Sequence, residues 1–280
     1  MPKRTTEMWH FPKRSSIEQM KGVLEILLDE RMDFDGKPWV KGRIETFNTE
    51  LAKRGLTESG APLSPSGRRT LEALLKYFGL IYVDSQAMRV TEVGHDFVRQ
   101  PKTTFTLQML KLQITNPVII EDCSGIHVFP FRATLGLLLD PRLNGFLSLS
   151  EIGYILFMHM KQESDFEKIA TQIADFRSKS SGAREKELDA FKSTPEGKVV
   201  LAKAPSVNYY ASLCVSTGLC CRNRDNLIIN SGKEREAREL LLKFAAARTY
   251  DFGKNLELWI DYYGAPKRLF PPCDVSIKFN

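Results

Sequence analysis

Four polar side chains that can bind phosphates or base edges stand together at residues 64–69. Ser64, Ser66, Arg68 and Arg69 precede an apolar helical stripe, where a helix leaves its first backbone N–H groups unpaired. Hydroxyl, guanidinium and backbone N–H groups all donate hydrogen bonds to phosphate oxygens and to base edges. A pair of arginines is unfavourable to the helix dipole at this end, which indicates a role other than helix stability.

The stretch from residue 64 to residue 97 predicts the second half of a winged helix-turn-helix. Apolar residues at helical spacing predict a half-buried helix that ends at Gly79. Residues 80–90 then predict a β-hairpin, the wing, and Thr91 is placed to cap the next helix. In such motifs the middle helix commonly enters a DNA groove while the wing contacts the backbone.

Two amphipathic helices precede this stretch. Residues from Ile17 to about Met32 predict a scaffold helix that begins after Ser15 and Ser16. A turn at 33–38 leads to a second helix over 40–54, which is the predicted first helix of the helix-turn-helix. The Gly/Pro/Ser connection that follows is longer than the turn of the simplest motif.

A basic arm with interleaved aromatic residues begins the chain. Lys3, Arg4, Lys13 and Arg14 flank Trp9. Such arms lie along phosphates or reach into a minor groove. The alternative is a solvated tail with one aromatic side chain docked on the core.

Further helices are predicted over 105–117, 127–139, 145–160 and 166–177. Ser148 or Ser150 is placed to cap the third of them. The polar stretch 178–204 lacks a sustained apolar stripe, so we expect a mobile excursion there.

The wing pattern occurs a second time. Residues 217–230 align with residues 78–91 without a gap, which places Gly218 on Gly79 and Asn230 on Thr91 as a second cap. Helices are predicted on either side, over 207–215 and 234–248, with a last helix over 256–263. The expected fold is therefore mainly α with short β-hairpins, arranged as tandem winged helix-turn-helix units. Residues 1–117 form the arm and first domain, and residues 118–280 form the second domain with the excursion at 178–204.

No catalytic or metal-binding pattern is evident. The four histidines are scattered, the five cysteines form no CxxC pair, and there is no phosphate-cradling glycine loop. Two acid-x-Lys strings, at 35–37 and 196–198, lie in polar segments, and we attribute them to chance. We expect buried free thiols, no metal site and no cofactor in this chain.

Composition sets wider limits. A chain of 280 residues has room for about two domains, and its net charge of +6 permits an anionic partner without requiring one. No apolar run is long enough for a membrane span, and the N-terminus lacks the apolar core of a signal peptide. We expect a cytoplasmic protein with no membrane partner.

Several segments, in their order along the chain, resemble the N-terminal half of AlwI-type type IIS restriction and nicking endonucleases. They are the basic aromatic start and four sequences: LLKYFGLIYVDSQAMRVTEVGHDFV at 74–98, FTLQMLKLQ at 105–113, IADFR at 173–177 and YYGAP at 262–266. The resemblance implies a helical region that recognises a short asymmetric duplex site. In that family a magnesium-dependent PD-(D/E)xK nuclease domain follows, so the nuclease domain or subunit and its magnesium are implied as partners outside this chain. No catalytic residue carries over.

The candidate contacts to double-stranded DNA fall into four groups. They are Lys3, Arg4, Trp9, Lys13 and Arg14 of the arm; Lys37, Trp39, Lys41 and Arg43; Ser64, Ser66, Arg68, Arg69 and Lys76 with Gln86 and Arg89 of the first wing; and Asn208, Tyr209, Arg222 and Arg224 of the second unit. Two alternatives stay open. One is a winged-helix interaction scaffold or transcriptional regulator without base readout, and the other is a nuclease fold within 118–204.

Overall fold

The computed structural model describes residues 7–12, 15–57, 59–84, 86–118, 123, 125–202 and 206–271. Helices dominate this part of the chain, and its strands form two three-stranded antiparallel sheets. The predicted fold class is confirmed.

The first unit has the element order of a winged helix. Its elements are α1 (Ile17–Leu27), β1 (Lys37–Pro38), α2 (Lys41–Lys53), α3 (Pro65–Tyr77), β2 (Ile81–Asp84), β3 (Ala87–Val90) and α4 (Glu92–Arg99). The strands lie in the order β1-β3-β2, so the hairpin is extended by a short strand where the sequence pattern predicts only a turn. Asp35 fixes this edge, because its Oδ1 accepts a hydrogen bond of 2.8 Å from the backbone N–H of Val90.

The second unit repeats this order with an insertion. Helix α5 (Pro101–Lys111) leads to α6 (Pro130–Leu138), β4 (Phe146–Ser148), α7, α8 (Phe166–Ser178), α9 (Ser181–Ser193), α10, α11 (Ser206–Ser216), β5 (Cys220–Asn223), β6 (Asn226–Ile229), α12 (Glu234–Lys243) and α13 (Leu256–Tyr263). Helix α7 comprises α-helical Leu149–Glu151, π-helical Ile152–Leu156 and α-helical Phe157–His159, and α10 comprises Pro195–Gly197 and π-helical Lys198–Ala202. Its sheet has the equivalent order, β4-β6-β5.

The gapless alignment of the two wings is confirmed. Strands β5 and β6 begin and end at the residues aligned with the ends of β2 and β3. Gly79 and Gly218, at the base of each hairpin, both have positive φ, +65° and +75°. Each hairpin is closed by the same backbone bond, Thr91 N–H to the Leu80 carbonyl at 3.0 Å and Asn230 N–H to the Leu219 carbonyl at 2.8 Å.

Side-chain caps begin several helices, and the predicted caps Ser16, Thr91 and Ser148 are among them. Ser16, Ser64 and Thr91 each accept a hydrogen bond from the backbone three residues ahead, and Ser148 forms a reciprocal capping box with Glu151. The prediction that Asn230 caps the following helix is wrong, since α12 begins only at Glu234. The Asn230 amide instead donates to the carbonyl of Gly218 at 2.8 Å.

Residues 178–202 differ most from the prediction. In place of a mobile excursion they form α9 and α10, which lie between α8 and α11. The ring of Phe191 lies 5.0 Å from that of Tyr154, and Val200 is buried. Two or three apolar anchors on an otherwise polar surface are enough to dock these helices, although they are too sparse to produce a periodic stripe.

A single apolar core runs through both units, and α5 lies between them. The Gln108 amide donates to the carbonyls of Phe78 and Tyr263, both at 2.8 Å. The C-terminal helix α13 is thereby fastened to the first unit, and the expected division at 117/118 stays a prediction. No helix of the described residues is long and apolar enough to cross a membrane.

Candidate nucleic-acid interface

Helix α3 presents one polar face to solvent. Ser66, Arg69, Thr70 and Ala73 recur at helical spacing and are exposed, while the opposite face is buried in the core. Arg69 makes no ion pair or side-chain hydrogen bond with any described residue. The N-cap Ser64 is also exposed, and its Oγ accepts a 3.1 Å hydrogen bond from Gly67 N–H. Thr70 and Ala73 were not among the sequence candidates, although their i+4 and i+7 spacing from Ser66 places them on this face.

The neighbouring arginine has a different role. The Arg68 guanidinium is 2.6 Å from Glu72 Oε1, and its side chain is only 15% exposed. The same carboxylate oxygen accepts a 3.0 Å hydrogen bond from the Trp39 indole. Trp39 is half-buried, with its ring 5.2 Å from that of Phe47 on α2. Arg68 and Trp39 therefore fix α3 against the strand and helix that precede it, whereas the sequence pattern predicts both as DNA contacts.

Basic side chains lie on β1 and α2, before and after Trp39, whose indole bonds to Glu72 of α3. Lys37 lies 3.5 Å from Asp33, and Lys41 lies 3.9 Å from Glu45. Arg43 donates to the Pro38 carbonyl at 3.4 Å and lies 3.7 Å from Asp33. Such solvent-exposed pairs contribute about 0–1 kcal/mol, so these cations can exchange a carboxylate for a phosphate at little cost.

The first wing carries two of the predicted residues. Gln86 is exposed at its tip, with a positive φ of +71°. Arg89 is half-buried on β3, and its Nη1 would lie 3.1 Å from a Cβ added at Gly36. The glycine leaves the space in which this guanidinium lies. Lys76, further along α3, is partly buried.

The second unit brings two of its candidates together. Arg222 Nη1 donates to Asn208 Oδ1 at 3.3 Å, joining β5 to the start of α11. Asn208 and its neighbour Tyr209 are partly exposed. Arg224 is exposed at the wing tip with a φ of +55°. This surface combines a helix amide with two exposed guanidinium groups.

The N-terminal arm gives one correction. Lys3, Arg4, Lys13 and Arg14 lie outside the described residues. Trp9 is fully buried, and its indole donates to the Met160 carbonyl at 2.8 Å. The prediction that Trp9 contacts DNA is wrong, because its ring packs against Phe157 and Tyr210 in the core. The alternative of a tail docked through an aromatic residue describes Trp9 correctly.

Several buried side chains have shifted pKa values. Burial alone lowers the pKa of Lys111 to about 7. Burial likewise raises the pKa of the Cys214 thiol well above its ordinary value and that of Cys220 to about 12. The thiols of Cys123, Cys214 and Cys220 are buried as expected, whereas Cys221 is partly exposed.

Among the described residues, neither acid-x-Lys string belongs to a cluster of potential metal ligands. Asp35 binds the backbone of β3, and Glu196 lies in the first turn of α10. The described residues include no group of three or more His, Cys, Asp or Glu side chains able to hold a metal ion. They therefore do not fit a magnesium centre. Within the described part of 118–204 the only strand is β4, which differs from the sheet-based nuclease considered for that stretch.

The architecture is that of two mainly helical units of similar element order, each with a three-stranded antiparallel sheet, joined by a shared core. No family model and no curated protein matches the sequence. Among solved structures the chain is similar to the BpuJ1 endonuclease binding domain, determined in complex with pyrene- and phenanthrene-modified DNA. The TM-score is 0.65 and the identity 15%, over 94% of this chain and 98% of that domain. The chain thus shares the fold of that binding domain, and the resemblance to the AlwI type stays a prediction.

Proposed function

We propose that this chain is the sequence-specific, double-stranded DNA-binding portion of a type IIS restriction or nicking endonuclease. The observation that carries the proposal is the repeated winged helix, in which the groove helix of each unit presents polar side chains to solvent. The end-to-end similarity to a DNA-bound endonuclease binding domain supports it.

The proposed mode of binding follows from the width of the grooves. The major groove of B-DNA admits an α-helix, so α3 enters with Arg69 and Thr70 toward the bases. Lys37, Lys41 and Arg43 then contact phosphates on one side of the helix. In the second unit α11 and the wing guanidinium groups of Arg222 and Arg224 contact an adjacent segment, which gives a bipartite grip on one asymmetric site.

Cleavage in this proposal belongs to a separate nuclease domain or subunit that uses magnesium. The described residues supply recognition, and no catalytic step is assigned to them.

A titration of two duplexes tests the proposal. The preferred site is first selected from duplexes with a randomised core, and its affinity is compared with that of a scrambled duplex. Specific recognition predicts an affinity gap of about 4–10 kcal/mol. It also predicts that the logarithm of the association constant falls linearly with the logarithm of the salt concentration between about 50 and about 200 mM. Equal, weak affinity for both duplexes would contradict base readout and favour an interaction scaffold.

A matched pair of variants separates the interface from general charge. Replacing Lys37, Lys41 and Arg43 with alanine should reduce the salt slope by about 0.9 for each phosphate that the variant no longer neutralises. Arg235→Ala on α12 is the control, because this exposed arginine pairs only with Glu239, at 3.5 Å, among the described residues. The control should bind as the wild type does.

A further inference from the structure

The groove helices of the two units correspond position by position. The alignment of the wings extends back through both helices without a gap, since α3 ends at Tyr77 and α11 at the aligned Ser216. The left-handed Gly79 and Gly218 follow at the same distance. Arg68, Arg69 and Thr70 therefore align with Val207, Asn208 and Tyr209.

Burial supports this register independently of the helix ends. Leu71, Leu74 and Leu75 are buried, and so are their partners Tyr210, Leu213 and Cys214. Both helices therefore turn these three positions inward, and the two positions before them, occupied by Arg69 and Thr70 and by Asn208 and Tyr209, are accessible to solvent in both helices.

The alignment also accounts for the difference between the two arginines. Arg68 aligns with Val207, which is 1% exposed in the second unit. This position faces the interior of each unit, in agreement with the ion pair that holds Arg68 to Glu72. The next position, occupied by Arg69 and Asn208, is accessible to solvent in both helices.

The chemistry of these two side chains is complementary to different bases. A guanidinium donates two hydrogen bonds to guanine O6 and N7, whereas a carboxamide donates to adenine N7 and accepts from adenine N6. We propose, on the basis of the function proposed above, that this single helix position reads one base in each unit. Arg69 takes a guanine and Asn208 takes an adenine.

The contacts of Asn208 suit this role. Its Oδ1 accepts from Arg222 at 3.3 Å, which orients the amide from the wing. The carbonyl oxygen retains a second lone pair for adenine N6. The amide nitrogen donates to no described residue, so it is available for adenine N7.

Two single substitutions, each of which introduces the side chain of the other unit, test the inference. Site selection is carried out with the wild type, with Arg69→Asn and, separately, with Asn208→Arg. Arg69→Asn should change the preference at one base pair from G·C to A·T, and Asn208→Arg should make the reverse change at a different base pair. Each change should amount to about 5- to 150-fold in relative affinity, the range expected for one bidentate contact. Arg235→Ala is the control and should select the wild-type site.

A second measurement uses only the wild-type protein. Placing 7-deazaguanine or 7-deazaadenine at the two base pairs removes the N7 acceptor without changing the pairing. Each analogue should weaken binding by about 5-fold or more.

The outcomes separate this inference from the proposed function. Unchanged base preferences in both variants, or no effect of either analogue, would overturn the inference while the selectivity of the wild type still supports DNA recognition. An equal loss of affinity for every duplex would also overturn it, since that result describes phosphate contact. A wild type without selectivity would overturn the proposed function itself.

Discussion

At the scale of single residues, two adjacent arginines on one helix have separate roles. Arg68 shares the Glu72 carboxylate with the Trp39 indole and is largely buried, whereas Arg69 is exposed and has no partner among the described residues. The sequence pattern predicts both as one DNA-binding pair. The i+4 spacing from Arg68 to Glu72 is visible in the sequence as a helix ion pair, but its burial depends on Trp39 from another element.

Alanine substitutions should separate these roles by stability. Arg68→Ala should lower the free energy of unfolding by about 1–2 kcal/mol, because it removes a charge-assisted hydrogen bond and leaves Glu72 half-buried. Arg69→Ala should change it by less than about 0.5 kcal/mol. Urea unfolding measures both, and equal effects would contradict the division.

Lys111 is the residue with the clearest link to pH. Its Nζ donates to the carbonyls of Tyr262 and Ala265, at 2.9 and 3.1 Å, and lies 4.8 Å from the centre of the Tyr262 ring. No carboxylate pairs with it among the described residues. Burial lowers its pKa from 10.5 to about 7.

Stability should therefore rise with pH above neutrality. Between about pH 7 and pH 9 the unfolded chain still binds a proton that the folded chain has released at Lys111. The unfolding free energy then increases by up to about 1.4 kcal/mol per pH unit. Lys111→Met should remove this part of the increase, while other groups titrate alike in both proteins. Parallel pH profiles in urea unfolding would show that Lys111 stays charged when folded.

At the scale of elements, the two glycines at the base of the wings share a backbone conformation but not their surroundings. A Cβ at Gly79 would lie 2.8 Å from Tyr263 Cδ1 and 3.1 Å from the Tyr263 carbonyl oxygen. A Cβ at Gly218 would meet only the flexible end of the Lys102 side chain at close range. The first wing is thus packed against α13, while the second has room to adjust.

Alanine at these glycines should consequently have unequal effects. Both substitutions impose a left-handed conformation on a residue with a Cβ, at a cost of about 1–2 kcal/mol. Gly79→Ala adds overpacking against Tyr263, for a total loss of about 2–5 kcal/mol. Thermal unfolding of the two variants measures these losses of stability. A larger loss of stability for Gly218→Ala than for Gly79→Ala would contradict this packing difference.

Local sequence patterns predict most helices and strands, whereas the remaining elements depend on contacts between residues that are distant in the sequence. Ser16, Ser64 and Thr91 mark three helix starts because a cap acts within one turn. Strands β1 and β4 are not predicted, since two or three residues carry no periodicity and are defined only by their pairing with β3 and β6. Helices α9 and α10 are not predicted because their few apolar anchors produce no periodic stripe. Trp9 is wrongly predicted as a DNA contact because the residues that bury it lie far away in the sequence.

At the scale of the whole molecule, one core joins the two units, so their outer faces hold a fixed relation through α5 and α13. Each unit offers one groove helix and one wing. In the proposed function, two units joined in this way suit a single asymmetric duplex site, because the fold sets the order of the units along the DNA. The site is predicted to be contacted in two adjacent segments.

Hydroxyl-radical footprinting of the selected duplex tests this bipartite grip most directly. The wild type should protect two adjacent segments. Arg222→Ala combined with Arg224→Ala should abolish protection in one segment only, and the Lys37, Lys41 and Arg43 alanine variant should abolish it in the other. A single protected segment that both sets of substitutions weaken equally would contradict the bipartite grip.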